Sequence, residues 1–232
     1  MMNTVDRLAE YPFVDTRNLE CIRYDWGTLF VSAVAKDSLP KLDCRPNAKD
    51  NVLVVIGAFR GQIMIQGSNN LCILGGDDHK SSLLNLYFWG KNSVFSFGRR
   101  STSNGFSAEF VNNDHVSVGE DCMFAAEIVL RTTDRHAIVD RSGEVINRPK
   151  PIRIADHVWI AQRVIVMKGV EVGNGAILAT GAVVTKSVPS GVIVAGNPAK
   201  IVRRDVTWTR SPAPNADESA KALAFLDPPT PQ

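Results

Sequence analysis

The sequence predicts an all-β protein, a parallel β-helix built from six-residue repeats, and three observations predict it. The first is a ladder of aliphatic residues spaced by six: Ile154, Ile160, Val166, Val172, Leu178 and Val184. The second is a companion ladder four positions further on: Val158, Val164, Val170, Ala176, Ala182 and Val188. The third is the set of mostly small residues directly after the first ladder: Ala155, Ala161, Met167, Gly173, Ala179 and Thr185. An α-helix of period 3.6 carries its apolar face away by the second hexad, and ordinary strands of period 2 carry turn residues at irregular spacing. A fixed hexad with two inward residues makes one short strand and one corner. Three hexads close a triangular coil of about 18 residues, and stacked coils pile like positions inside.

Composition agrees. The chain has 232 residues, 44% hydrophobic and 22% charged, enough apolar material for one large domain with appendages. Lys+Arg 26 against Asp+Glu 24 leaves a formal charge of +2, which is no footprint for a nucleic acid. No apolar run approaches about 18 residues, so no membrane span is expected. The opening MMNTVDRLAEYPF lacks the apolar segment of a signal peptide, and a cytoplasmic location is expected. Cys21, Cys44, Cys72 and Cys122 are scattered and read as reduced thiols, neither a disulfide frame nor a zinc site.

In chain order, residues 1–48 show no hexad and are expected to cap the solenoid end, where strand edges would otherwise be exposed. Residues 49–204 form the β-helix domain. Val52–Ile56, Ile63–Ile65 and Leu71–Leu74 look like looser coils, and SLLNLYFWG at 82–90 interrupts the pattern. Phe106, Asn112, Val118, Phe124 and Leu130 continue the count of six, with Phe110, Val116, Cys122 and Ile128 as companions, which places Asn112 inside. Leu130 and Ile154 are 24 apart, a multiple of six, yet residues 131–151 carry charge in place of rungs and read as a functional loop thrown out of the coil. Residues 205–232 hold five of the twelve prolines and read as a Pro-rich tail, partly disordered, with a short helix over 215–226 capped by Asn215 or Asp217.

The segment IRIADHVWIAQRVIVMKGVEVGNGAILATGAVVTKSVPSGVIVAGNPAKIVRR resembles the hexapeptide-repeat acyltransferases, closely over 152–204 and loosely over 106–151. VVTKSVP…VAGNPAKIVR is specific to the acyl-CoA branch, and TTDRHAIVD followed by VWIA is similar to the sugar and polysaccharide O-acetyltransferases. The resemblance implies a left-handed β-helix, acetyl-CoA as acyl donor, a sugar or glycan acceptor and a homotrimer with sites between neighbours. Residues 1–100 match nothing recognisable.

Transfer from a thioester needs a base for the acceptor hydroxyl, and His is suited to that near neutral pH. His136, in the charged excursion, is the candidate, as the resemblance also implies. Asp134 and Asp140 flank it and either is placed to hold its imidazole, with Glu127 a weaker choice. Trp159 is expected to point outward, either bordering the acceptor, as the resemblance implies, or touching a neighbouring subunit. By resemblance the pantetheine arm runs over Ala161, Ala179, Thr180 and Gly181, pairing with backbone amides, with Thr185 and Lys186 beside it. Lys200 and Arg203 then face the phosphates. Thr180 stands where the family usually has Ala. His79, His115 and His157 lack company, no HxxxxH pair is present, and no metal is expected; His157 reads as a surface residue. N-acetylation of an amino sugar, acetylation of a xenobiotic and a non-catalytic scaffold are the rival readings.

Overall fold

The computed structural model describes residues 8–77 and 80–226. Among them, the strands form three sheets that wind one coil after another. The first sheet runs Glu20–Tyr24, Gly27–Val31, Asn51–Val55, Leu71–Gly76, Val94–Arg99, His115–Val118, Ile152–Ile154, Glu171–Val172. The second runs Lys41–Cys44, Phe59–Ile65, Ser82–Phe88, Phe106–Phe110, Ile128–Arg131, Ile165–Met167, Val183–Val184. The third runs Thr102–Ser103, Met123–Phe124, Trp159–Ile160, Ile177–Leu178, Val192–Ala195, Lys200–Arg204. All pairings are parallel except the hairpin at each end.

Every residue of both hexad ladders is buried. From Ile152 to Val184 the register advances by 18: Arg153 pairs with Glu171, Trp159 with Ile177, Ile165 with Val183; the last step, Ile177 to Ile193, is 16. Across the excursion it advances by 36, Met123 pairing with Trp159 and Val129 with Ile165. The excursion therefore adds one coil's length of chain without disturbing the rungs, which explains the multiple of six between Leu130 and Ile154.

Upstream the coils are wider and less regular, with steps such as Val52 to Leu71, Leu71 to Val94 and Leu84 to Phe106. Their longer strands enclose more space, and phenylalanines fill it: Phe88 stacks on Phe110 at 4.6 Å, and Phe97 on Phe106 at 5.6 Å. Three expectations are corrected here. SLLNLYFWG does not interrupt the helix: Ser82–Phe88 is a strand with Ser82, Leu84, Leu86 and Phe88 turned inward. Asn112 is exposed, because Phe106–Phe110 spends three inward residues on one longer strand and the corner follows it. The coil begins at Gly27 and not at 49, since Gly27–Val31 and Lys41–Cys44 already pair in parallel with the next turn.

The C-terminal side is more ordered than a Pro-rich tail implies. Lys200–Arg204 folds back antiparallel on Val192–Ala195 and closes the third sheet. The chain then returns along the coil, burying Trp208, to a helix at Ala216–Leu223. Asn215 caps that helix, its side chain accepting from the Glu218 amide while the Glu218 carboxylate accepts from the Asn215 amide. The closing DPPTPQ lies outside the described residues.

Candidate functional site

The excursion leaves the second sheet at Arg131 and rejoins the first at Ile152. Its base is packed: Thr132 and Thr133 are buried, and Thr132 Oγ1 donates to the Glu109 carbonyl at 2.9 Å. Its tip is a bridged turn, Val139 opposite Val145, in which the Asp140 carboxylate accepts from Ser142 Oγ and the Ser142 and Glu144 amides. Asp140 is thus consumed by its own turn. Asp134 accepts from Asn147 Nδ2 at 2.8 Å and from Lys168 Nζ. Neither carboxylate touches the imidazole of His136, which is exposed and makes no hydrogen bond among the described residues. Glu127 pairs with Arg163 and Gln162.

Asn147, absent from the sequence-based set, holds the loop together. Its Nδ2 donates to the His136 carbonyl at 2.8 Å as well as to Asp134, and its Oδ1 accepts from the Ile138 amide at 2.7 Å. The bonds from Lys168 and Asn147 hold the Asp134 carboxyl below the usual carboxylate range.

Trp159 lies on the third sheet, half-buried, with its ring 6.1 Å from that of Trp208. In a triangular coil, the corner between the second and first sheets is opposite the third sheet. His136 and Trp159 of one chain therefore sit on opposite sides of the prism. Ala161, Ala179, Thr180 and Gly181 stack at the corner after the third sheet, and Gly181 has open space where a Cβ would stand. The amides of Ala161, Ala179 and Gly181 donate to the carbonyls of Leu178, Val194 and Gln162, each at 2.9 Å, so these N–H groups are paired within the coil. Their small side chains leave a smooth surface, and Thr180 is exposed. Thr185, Lys186, Lys200 and Arg203 are exposed as well.

Hollows on the described surface include one of about 620 Å³ between Ser117, Arg153, Glu171 and Ser187–Ser190, and one of about 220 Å³ beside Asp121, His157 and Phe225. Neither is lined by any residue of the expected site. No group of three or more His, Cys, Asp or Glu among the described residues is arranged to hold a metal.

His157 departs most from expectation. It is buried, not superficial. Its ring lies between Trp208 and Phe225, at 4.4 and 4.5 Å, nearly parallel to both. Nδ1 sits 2.8 Å from Asp121 Oδ2 and Nε2 2.8 Å from the Trp208 carbonyl, while Trp208 Nε1 donates to the His157 carbonyl at 2.7 Å. Arg210 adds bonds to Asp121 and to the carbonyls of Arg100 and Cys122. The spacing of 36 between Asp121 and His157 was the one available signal, since it is two hexad coils in sequence and one in space.

Residues 151–186 match the model of the bacterial transferase hexapeptide, six repeats. The polySia-specific acetyltransferase NeuO superposes with a TM-score of 0.69 and 31% identity, over 80% of this chain and 90% of that one. The chain belongs to the hexapeptide-repeat transferase family. Its fold is the family's left-handed parallel β-helix. The polysialic acid O-acetyltransferase of Escherichia coli O1:K1 / APEC is 38% identical over 122 residues, 52% of this chain and 40% of that relative. The galactoside O-acetyltransferase of Escherichia coli strain K12 is 31% identical over 121 residues, 51% and 57% respectively. The match thus spans about half the length of these curated relatives. As a family member the chain departs from a bare repeat in its phenylalanine-filled N-terminal coils and in the returning segment over His157. No helix among the described residues is long and apolar enough to cross a membrane.

Proposed function

We propose that the protein transfers an acetyl group from acetyl-CoA to a hydroxyl of a sugar or polysaccharide, in the cytoplasm and as a homotrimer. The observation that carries this reading is His136: an exposed imidazole on a loop braced by Asn147, Asp134 and Lys168, set in the TTDRHAIVD…VWIA context. The acceptor hydroxyl gives its proton to His136 as its oxygen attacks the thioester carbonyl. The tetrahedral adduct collapses, the C–S bond breaks, and the proton passes from His136 to the leaving thiolate. No covalent enzyme intermediate is required. Asp134 acts on this base through Asn147, not by direct contact.

Trp159 presents an aromatic surface to the acceptor. The corner of Ala161, Ala179, Thr180 and Gly181 gives the donor's thin arm an unobstructed path. Thr185 and Lys186 lie beside it, and Lys200 and Arg203 supply cations for phosphates. Because His136 and Trp159 of one chain face opposite ways, a neighbouring copy completes the site, which supports the trimer. Mass-spectrometric screening of acetyl-CoA against a panel of galactosides, sialic acid polymers and amino sugars tests the reading. O-acetylated product abolished by His136→Ala is expected, with kcat down about 10²–10⁴-fold. Half or more of the activity surviving in that variant overturns the base assignment, and exclusive N-acetylation overturns the acceptor class.

A further inference from the structure

The residue before the proposed base is held by its side chain. Arg135 has φ +61°, in the left-handed region, as have ten other described non-glycine residues, Arg100 and Arg163 among them. Its amide donates to Thr133 Oγ1 at 3.0 Å. Its guanidinium carbon lies 4.7 Å from the centre of the Trp89 ring, and Nη1 is 3.3 Å from Glu109 Oε2. That carboxylate oxygen is buried and has no hydrogen-bond partner, so Arg135 is what compensates its charge. Trp89 is itself backed by Tyr87, ring on ring at 10° and 6.1 Å. Arg131 approaches the other Glu109 oxygen at 3.6 Å. Trp89 follows the strand Ser82–Phe88 and Glu109 lies on Phe106–Phe110, where it pairs with Tyr87, so adjacent coils bring the two together.

We propose that Trp89 and Glu109 are positioning residues, which aim His136 by gripping the Arg135 side chain. The inference rests on reading His136 as the base. The grip fixes the φ/ψ of Arg135, and the direction of the next Cα–Cβ bond follows from it. On the far side Asn147 holds the His136 carbonyl, so the imidazole stands between two anchored points. A cation on an aromatic face and a partly buried ion pair bind most strongly when both are shielded from water, and here the two act on one guanidinium.

Trp89→Ala, Trp89→Phe and Glu109→Gln in the full chain test this, with acetyl-CoA as donor and a sialic acid polymer as probe acceptor. The chain has four histidines, so with His-selective labelling His136→Ala assigns the His136 ring resonance. The expected result is a kcat about 10- to 100-fold lower in Trp89→Ala, since a small misplacement of a catalytic group costs that much. Glu109→Gln falls less, the KM for acetyl-CoA stays within about twofold, and Trp89→Phe recovers most of the loss because it keeps a π face. The His136 line broadens or splits in Trp89→Ala while the other histidine lines stay in place. An unchanged kcat and His136 line in Trp89→Ala overturns the proposal. So does a loss that Phe fails to rescue and that comes with a fall in melting temperature, since that marks packing alone. Should His136→Ala retain activity, the base reading falls by itself, and the His136 line in the Trp89 variants still decides whether the grip orders the loop.

Discussion

Asn147 shows how one side chain makes a charged excursion into a single piece. It meets Asp134, the His136 carbonyl and the Ile138 amide at once, and its own carbonyl accepts from Lys168 Nζ at 2.9 Å. Asn147→Ala removes three bonds around His136 and leaves the coil untouched. The expected outcome is a kcat reduced about tenfold or more with the melting temperature nearly unchanged. The Asp134 carboxyl is depressed by Lys168 and Asn147. Its contribution to loop order is therefore present above the unfolded value of about 3.9 and is lost as pH falls through the lower folded value. Lys168→Met moves Asp134 back toward its ordinary value. Faster hydrogen exchange at the Ile138 amide is then expected, appearing at higher pH than in the unaltered chain; equal exchange in both would contradict the bracing role.

At the scale of elements, the returning segment is held by a sandwich and not by apolar burial alone. Nδ1 and Nε2 of His157 both face acceptors, a carboxylate and a carbonyl, and Trp208 and Phe225 cover its two faces. His157→Ala leaves a buried carbonyl unpaired and a slot between two rings, at a cost of about 1–3 kcal/mol for the lost hydrogen bonding. Release of the segment is expected, read as cleavage by trypsin at Arg210 with the coil left intact. Burial pushes the Asp121 carboxyl up, but the bond from His157 and the charge of Arg210 outweigh it and leave the group below its ordinary value. The sign follows: the Asp121 contribution to the segment's attachment is present above about pH 4 and is lost as pH falls through the depressed value. Trp208 fluorescence during an acid titration follows this, and an unchanged signal below about pH 4 would contradict it.

Across the whole molecule the core changes material from end to end. Phenylalanines fill the wide coils, while valine and alanine fill the regular ones. Phe97 has Phe59, Phe106 and Phe124 as ring neighbours within 6.0 Å. Phe97→Ala is expected to cost about 3–5 kcal/mol, measured by denaturant unfolding, because one stacked and two edge-on ring neighbours resist collapse into the cavity. At the same scale stands the proposed assembly. If each site draws His136 from one copy and Lys200 and Arg203 from another, mixing His136→Ala with a Lys200→Ala/Arg203→Ala double variant should restore about a quarter of the sites. No recovery above the two parents, with a monomeric mass by light scattering, would refute the shared site.

The sequence by itself determined the repeating half of this protein. Every residue of both ladders from Ile154 to Val188 is inward, and the loop around His136 leaves the coil where rungs cease, because a fixed period of burial is a local, repeated property of the chain. The cap was narrowed to Asn215 or Asp217, since capping chemistry acts within three residues, and the structure takes Asn215. Only the tertiary structure decided the rest. The N-terminal coils showed in the sequence only as looser β-rich runs, because their steps vary and no single period survives, although their strands pair in parallel like the others. His157 read as a surface residue because its partners, Asp121, Trp208 and Phe225, lie 36, 51 and 68 positions away without periodic relation to one another. Trp89, Glu109 and Arg135 meet for the same reason: winding brings successive coils together, and which outward side chains then face each other depends on coil lengths that only the folded chain reveals.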